Sequence, residues 1–397
     1  MDFTYSSLGP GQLRLLRPVF IIDGAFISLE ILHFARNQAP PYAALSYTWG
    51  DGGETDMLQL NGRKFPVRRN LWSCLNYLGL NARYSKANYL WVDAICINQE
   101  DIEERNAQVR VMDEIYRNAC YVSIWLGLDP RREIYRDRVG GPIRTFDTDG
   151  FIWCEHAKQL ADHEYWSRYW VIQECLLARD IQVHCGRNIT PWEYFREALS
   201  LEANVNLLTF PEDSRTTATL DASKHGALPL LLARLPGENF RHCPLDELII
   251  HHRHSRCKDP RDRVFALLGL CPPEERASLE QFFPNYSLSH DRVVIITLAH
   301  LHEVNRTPVT IESQKLFQGL GVESKERQRK LISAAADCPY FIEYNAVTTD
   351  AAREMRARDL AFMDEFELEL GPHEGVGENE LETFYNERSS ISRCNML

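Results

Sequence analysis

Short apolar runs alternate with amphipathic stretches through the first half of the chain, and this alternation constrains the fold more than any other sequence feature. Each run has the length of a strand, and the run 89–97 is nearly continuous in its apolar residues, as expected for a central strand covered on both faces. The runs span residues 42–50, 89–97, 120–127 and 180–186. The stretches between them repeat apolar residues at helical spacing. Strands that alternate with helices predict an α/β fold with a mainly parallel sheet flanked by helices.

Composition and spacing divide the chain into four expected segments. The α/β unit is preceded by a segment that adds a hairpin at the edge of the sheet and is followed by a mostly helical C-terminal region. The last segment is acidic, lacks a sustained apolar period and is expected to be largely disordered. The expected bounds are 1–41 for the N-terminal edge segment, 42–190 for the α/β domain, 191–345 for the helical region and 346–397 for the tail.

Charge and hydropathy exclude several classes of partner. The 44 basic and 56 acidic residues give a net charge of −12, which disfavours binding to nucleic acid or to an anionic membrane surface. No apolar run reaches the roughly 18 residues of a transmembrane helix, and the N-terminus lacks the features of a signal peptide. We therefore expect a cytoplasmic protein with no nucleic-acid or membrane partner.

The cysteines and histidines do not form a recognisable metal motif. Eleven cysteines are scattered without short repeated spacings, so we expect reduced thiols. The densest group of potential ligands lies between His242 and Cys257, but it lacks the two tight ligand pairs of a zinc site. We expect no metal and no bound cofactor, and we interpret this segment as a polar helix face.

Residues 165–180 have the pattern of a helix that places a carboxylate among core residues. At about 100° per residue, Glu174 falls only about 40° from Trp170, with Gln173 on the other flank of the apolar arc. Arg168 lies on the opposite side, where it would face water. An unpaired buried charge is costly, so the position of Glu174 requires an explanation.

Polar residues follow the strands at the edge where an α/β sheet collects its ligands. The candidate substrate-binding residues are Trp49, Asp51, Asp93, Asn98, Gln99, Arg168, Trp170 and Gln173. Two interpretations of Asp93 and Glu174 stay open. The two carboxylates line a shared polar cleft, or each is a structural acceptor that caps a loop or pairs with an arginine.

Other catalytic motifs are absent. Residues 50–53 are glycine-rich but precede a hairpin signal instead of a helix, which excludes a P-loop and a dinucleotide fingerprint. Ser46 lacks the flanking glycines of a nucleophile elbow.

Three stretches, in this order, resemble the fungal HET (heterokaryon incompatibility) domain. They read YAALSYTWGD from residue 42, LWVDAICINQ from residue 90 and YWSRYWVIQECLLARDIQVHCG from residue 165. The resemblance covers about residues 42–187, and residues 258–270 and 283–294 are similar to the segment that usually follows this domain. It implies an effector of non-self recognition between fungal strains that triggers programmed cell death.

HET domains in turn resemble, more distantly, TIR domains, which have a flavodoxin-like fold and in several lineages cleave NAD at the nicotinamide–ribose bond. Plant-type TIR domains carry a Trp-Cys-x-x-Glu helix with an essential glutamate. Trp170 and Glu174 have the same spacing, with Val171 where that pattern has cysteine. The resemblance implies a TIR/flavodoxin-like sheet, Glu174 as the catalytic residue and NAD as a candidate substrate.

These observations support two functions. Breaking an N-glycosidic bond passes through an oxocarbenium-like transition state that a carboxylate stabilises, so the chain is a candidate NAD(P) glycohydrolase in which Glu174 acts and Trp170 stacks on a base. An apolar setting would raise the pKa of Glu174 unless Arg168 stabilises the anion. The alternative is a non-catalytic signalling or scaffold module that forms a homo-oligomer or docks a protein partner, with Glu174 as a structural acceptor.

Overall fold

The computed structural model describes residues 3–22, 26–50, 53–81, 87–127, 160–186, 188–196, 227, 230, 243–303 and 313–336. The expected acidic tail, 346–397, and the candidate site residue Asp51 lie outside these ranges.

The described strands form one nine-stranded sheet. In chain order they are β1 (Gln12–Ile22), β2 (Phe26–Ala35), β3 (Tyr42–Tyr47), β4 (Thr55–Leu60), β5 (Arg63–Arg68), β6 (Tyr89–Trp91), β7 (Tyr121–Trp125), β8 (Ile181–Cys185) and β9 (Asn188–Pro191). Their order across the sheet is β5-β4-β2-β1-β6-β3-β7-β8-β9.

Helices flank the sheet and make up the C-terminal region, as expected. They are α1 (Arg69–Asn81), α2 (Asp93–Cys96), α3 (Ile102–Arg110), α4 (Met112–Asn118), α5 (Tyr169–Leu177), α6 (Leu245–His251), α7 (Asp262–Phe265), α8 (Pro273–Leu279), α9 (His290–Glu303), α10 (Gln314–Leu320) and α11 (Lys325–Ala336). None of the helices in the described part of the chain combines the length and apolarity that crossing a membrane requires.

The centre of the sheet is parallel, which confirms the predicted α/β fold. Strands β6, β3, β7 and β8 pair in parallel in that order. Counted along the chain, this is the order 2-1-3-4 with which a flavodoxin-like sheet begins. The strand order reverses between β3 and β7, so the carboxyl ends of these two strands mark the topological switch point, where such sheets bind their ligands.

The N-terminal hairpin lies inside the sheet, so its predicted edge position is wrong. Strand β1 pairs with β6 through Leu16 and Leu90, and β2 pairs in parallel with β4. The β4–β5 hairpin therefore covers the outer side of the N-terminal hairpin. Its turn residues, Asn61 and Gly62, have φ angles of 52° and 74°, and the type I′ turn that joins two-residue hairpins needs positive φ at both positions.

The apolar run 89–97 is only partly a strand. Strand β6 ends at Trp91, and α2 follows. The turn is closed locally, because the Asp93 carboxylate accepts a hydrogen bond from the Ala94 amide at 2.7 Å. Asp93 consequently lies beyond the carboxyl end of β6 instead of in the middle of a strand.

The described residues divide into two compact units. The first contains the whole sheet with α1–α8 and α10. The second contains α9 and α11, which pack against each other and share a hydrogen-bonded ion pair in which Arg327 Nε donates to Asp291 Oδ1 at 2.9 Å.

Candidate active site

A buried carboxylate lies at the carboxyl end of β3, at the topological switch point. Helix α5 carries Glu174, and the hydroxyl of Ser46, the penultimate residue of β3, donates a hydrogen bond to its carboxylate. The Ser46 hydroxyl also forms a hydrogen bond with the hydroxyl of Tyr165. Glu174 is 3% exposed and Ser46 is 1% exposed. The sequence prediction that Glu174 faces the core is therefore confirmed.

The acidity of Glu174 is strongly perturbed. Burial raises its pKa to about 7, although the positive charge of Arg168 and the hydrogen bond from Ser46 favour the anion. The negative charge of Asp93 adds to the upward shift. A carboxyl group with this pKa gains and loses its proton near neutral pH, which is what a general acid or base requires.

Arg168 points inward, and the prediction that it faces water is wrong. The chain does not form one helix from residue 165, since Glu164–Ser167 are a 3-10 turn and α5 begins only at Tyr169. Arg168 between them is extended, with φ −78° and ψ 139°, and its guanidinium donates to the Tyr47 carbonyl at 2.5 Å. Burial opposes its charge, but the nearby Glu174 leaves the pKa of Arg168 above its ordinary value.

Asp93 forms the second acidic group of the site. The indole Nε1 of Trp49 donates to its carboxylate at 2.9 Å, and the side chain of Gln99 donates to its backbone carbonyl at 2.9 Å. Burial raises the pKa of Asp93, against the stabilising charge of Arg168. Trp49, Asp93 and Gln99 are therefore brought to the same edge of the sheet as Arg168.

Three other candidate residues have different partners. The Asn98 side chain accepts from the Glu100 amide at 3.4 Å, within the loop that precedes α3. In the amide orientation that satisfies both neighbours, Gln173 donates to the Ala266 carbonyl at 3.0 Å and accepts from the Asp113 amide at 2.8 Å. The Trp170 indole lies near the carboxylate of Asp262 and lowers its pKa. In these contacts, the partners of Gln173 and Trp170 are residues of α4 and of the C-terminal region instead of the Glu174 carboxylate.

The hydroxyl groups around Glu174 are the part of the site that sequence reasoning missed. In the sequence, Ser46 lacks the flanking glycines of a nucleophile elbow, and Tyr116 has the spacing of an ordinary core residue. The ring of Tyr116 packs edge-to-face against Trp91, with 5.4 Å between ring centroids, and its hydroxyl donates to the Leu45 carbonyl at 3.4 Å. A buried serine in the apolar run of β3 was the one available signal.

The described residues offer no metal centre in place of the carboxylates. Within the ranges that the structure covers, no group of three or more His, Cys, Asp or Glu side chains is arranged to hold a metal ion. His252 lies in the segment interpreted as a polar helix face, but it is 5% exposed, and burial lowers its pKa to about 3.

Comparisons with known proteins address the same region. Residues 42–174 match the family model described as Heterokaryon incompatibility protein (HET), and the match ends within α5 at Glu174. The chain is 26% identical over 319 residues to Heterokaryon incompatibility protein 6, OR allele, of Neurospora crassa. That alignment covers 65% of this chain and 46% of the relative, so the chain spans about half the length of the curated relative that it matches. No solved structure matches the chain.

Proposed function

Since residues 42–174 match the family model of the HET domain, we propose that the chain is an effector of heterokaryon incompatibility whose Glu174 centre hydrolyses the N-glycosidic bond of a nucleotide. NAD is the candidate substrate, and the loss of the nucleotide or the release of its products triggers cell death. The sequence similarity to the Neurospora protein that is named for heterokaryon incompatibility supports the proposed role in incompatibility.

One observation carries the enzymatic part of this proposal. Glu174, with a pKa of about 7, lies at the switch point of a flavodoxin-like strand order, next to the half-buried Arg168. Strongly perturbed carboxyl groups concentrate at catalytic sites, and the switch point is where open α/β sheets bind ligands. The same edge presents Asp93 together with the half-buried indole of Trp49, which offers an aromatic surface for a base.

The proposed reaction uses water as the nucleophile. A water oxygen attacks the anomeric carbon of the ribose, the carbon–nitrogen bond breaks, and its electron pair leaves with nicotinamide. Glu174 as the anion stabilises the oxocarbenium-like transition state and accepts the proton of the water. Arg168 keeps part of the Glu174 population ionised. Because Glu174 is 3% exposed, covering groups must move before the ribose can reach it, which predicts a low basal turnover.

Glutamine at position 174 tests the reaction. Purified full-length protein, concentrated enough to self-associate, should convert NAD to nicotinamide and ADP-ribose, and Glu174→Gln should lower the rate by about 100-fold or more. Glu164→Gln, which changes an exposed glutamate in the turn before α5, is the matched control and should keep the wild-type rate. Concentrated wild-type protein that leaves NAD intact would refute the enzymatic proposal.

The hydrogen bond from Ser46 and the burial of Glu174 also favour a second candidate function. In a non-catalytic module, Glu174 is a structural acceptor and the domain acts by self-association or by docking a protein partner. Glutamine retains an acceptor, so Glu174→Gln would then still trigger cell death when it is expressed in a fungal strain. Loss of killing with retained folding and assembly would support the enzyme instead.

A further inference from the structure

The start of helix α5 is held by a segment far along the chain. The Arg256 amide donates to the Ser167 carbonyl at 2.5 Å, and the Tyr169 amide donates to the Arg256 carbonyl at 2.9 Å. These two bonds form a parallel bridge around Arg168. The backbone that aims the Arg168 side chain at the sheet is therefore clamped on both sides.

The first turn of α5 has a second attachment. Asp262 is 8% exposed, its carboxylate accepts a hydrogen bond from the Tyr286 hydroxyl at 2.7 Å, and the nearby Trp170 indole favours its anion. The guanidinium carbons of Arg105 and Arg261 lie 4.2 Å and 5.3 Å from the centroid of the Tyr286 ring. Tyr286 and the arginines that pack on its ring therefore hold Asp262 in place independently of α5.

The middle of α5, next to Glu174, has a third attachment. Gln173 donates to the Ala266 carbonyl at 3.0 Å and accepts from the Asp113 amide at 2.8 Å, which joins α5 to α4 and to the end of α7. A Cβ atom at Gly269 would lie 2.5 Å from Asp113 Cβ and 3.3 Å from Gln173 Cδ. The C-terminal segment reaches this close because position 269 has no side chain.

Tyr169, the first residue of α5, provides a fourth attachment. Its hydroxyl donates to the Gly319 carbonyl at 3.3 Å, and the Arg263 guanidinium donates to the same carbonyl at 3.1 Å. The guanidinium carbon of Arg263 also lies 5.4 Å from the centroid of the Tyr169 ring.

We infer that residues 256–286, together with Gly319, are a positioning clamp for the Glu174 helix, in which Asp262 is a positioning residue that acts through Trp170. This inference rests on the proposed function. Helix α5 has only nine residues, and a helix of this length is marginal without tertiary contacts. A displacement of about 1 Å of a catalytic group costs on the order of 100-fold in rate. The clamp lies wholly beyond residue 174, where the HET family match ends.

The kinetic test uses Asp262→Asn and Trp170→Phe, each in the full-length protein. Both should lower kcat for NAD hydrolysis about tenfold or more while KM stays within about threefold, because the acting group is displaced and substrate binding is retained. The double variant should be no slower than the slower of the two single variants, because both substitutions disrupt the same contact between Asp262 and Trp170. Glu274→Gln, an exposed acid at the start of α8, is the control. Unchanged kcat in both single variants, or additive effects in the double variant, would overturn the inference.

Hydrogen–deuterium exchange tests the clamp without any turnover. Amides of α5 should exchange faster in Asp262→Asn and Trp170→Phe, whereas those of the β4–β5 hairpin should not change. If Asp262→Asn does not fold, Trp170→Phe carries the test, because it keeps a ring and removes only the indole donor. Unchanged α5 exchange would overturn the clamp. If the wild-type protein does not hydrolyse NAD, the proposed function is refuted. The hydrogen–deuterium exchange rates of the α5 amides would then be the test of whether the clamp holds α5.

Discussion

At the residue scale, Glu174 combines burial with charge. Its pKa rises from 4.5 to about 7 because burial outweighs the stabilising charge of Arg168 and the hydrogen bonds to the anion. The folded protein therefore binds this proton more tightly than the unfolded chain does. The stability gained from the protonated group is fully present below pH 4.5 and is lost as the pH rises through about 7. A buried glutamate that lowers stability at neutral pH is typical of a functional group.

This linkage predicts a pH-dependent effect of Glu174→Gln on folding. The variant should be more stable than wild type at pH 8 by up to about 3 kcal/mol, and the difference should vanish near pH 4 because both side chains are then neutral. Urea denaturation at several pH values measures this. Glu164→Gln should show no such trend, and a pH-independent difference for Glu174→Gln would contradict the assigned pKa shift.

Removing the Ser46 hydroxyl should raise the pKa of Glu174 further. Ser46 donates to the Glu174 anion and lowers its pKa, so Ser46→Ala should raise the pKa of Glu174 and move the pH–rate profile of NAD loss to higher pH. Ser123→Ala is the matched control, because Ser123 on the neighbouring strand is buried and its hydroxyl has no hydrogen-bond partner. An unmoved profile for Ser46→Ala would argue against this bond.

At the element scale, one buried ion pair ties the N-terminal hairpin to helix α3. Arg14 on β1 is 1% exposed and donates to both carboxylate oxygens of Glu104, at 2.5 and 2.9 Å. The same guanidinium donates to the Cys96 carbonyl at 3.0 Å, and Glu104 also accepts from the Asn98 amide at 2.7 Å. The pair thus joins the hairpin, the end of α2 and the start of α3, beside the loop that carries Gln99.

Glu104→Gln should be strongly destabilising. It leaves the Arg14 charge buried without its counter-ion, which costs about 3 kcal/mol or more. The adjacent Glu103 is exposed, so Glu103→Gln should stay within about 0.5 kcal/mol of wild type. Chemical denaturation at neutral pH compares the two, and equal free energies of unfolding would show that the pair contributes little.

At the scale of the whole molecule, the sheet domain and part of the C-terminal region form one compact unit. The HET match stops at residue 174, but the described residues between 54 and 289 and residues 314–322 belong to the same unit as the N-terminal strands. Tyr169, Gln173 and the α5 backbone all have partners beyond residue 255. The region that is similar to the family is therefore smaller than the unit that folds.

A fragment ending at residue 190 should not adopt the native state. It would leave Tyr169, which is 0% exposed in the folded chain, uncovered, and it would remove the Gly319 and Ala266 carbonyls that accept from Tyr169 and Gln173. Size-exclusion chromatography should show aggregated material, and near-ultraviolet circular dichroism should lack the aromatic signal of the full-length chain. A monomeric fragment with the native aromatic spectrum would contradict this expectation.

The sequence by itself determined the local features of this protein. Strands β3, β7 and β8 were predictable because a strand covered on both faces needs a continuous apolar run, and the burial of Glu174 followed from its place on the apolar arc of a helix. The hydrophobic period reports whether a residue is buried. It does not report which residue buries it.

Only the tertiary structure decided which groups meet. Ser46 and Glu174 are 128 residues apart in the chain, so no local pattern joins them. The inward turn of Arg168 depends on the 3-10 turn before α5 and on the bridge to Arg256, and the interior position of the N-terminal hairpin depends on pairing with strands that follow it. Such contacts follow from long-range packing, because local sequence determines the elements and the packing of distant segments determines their partners.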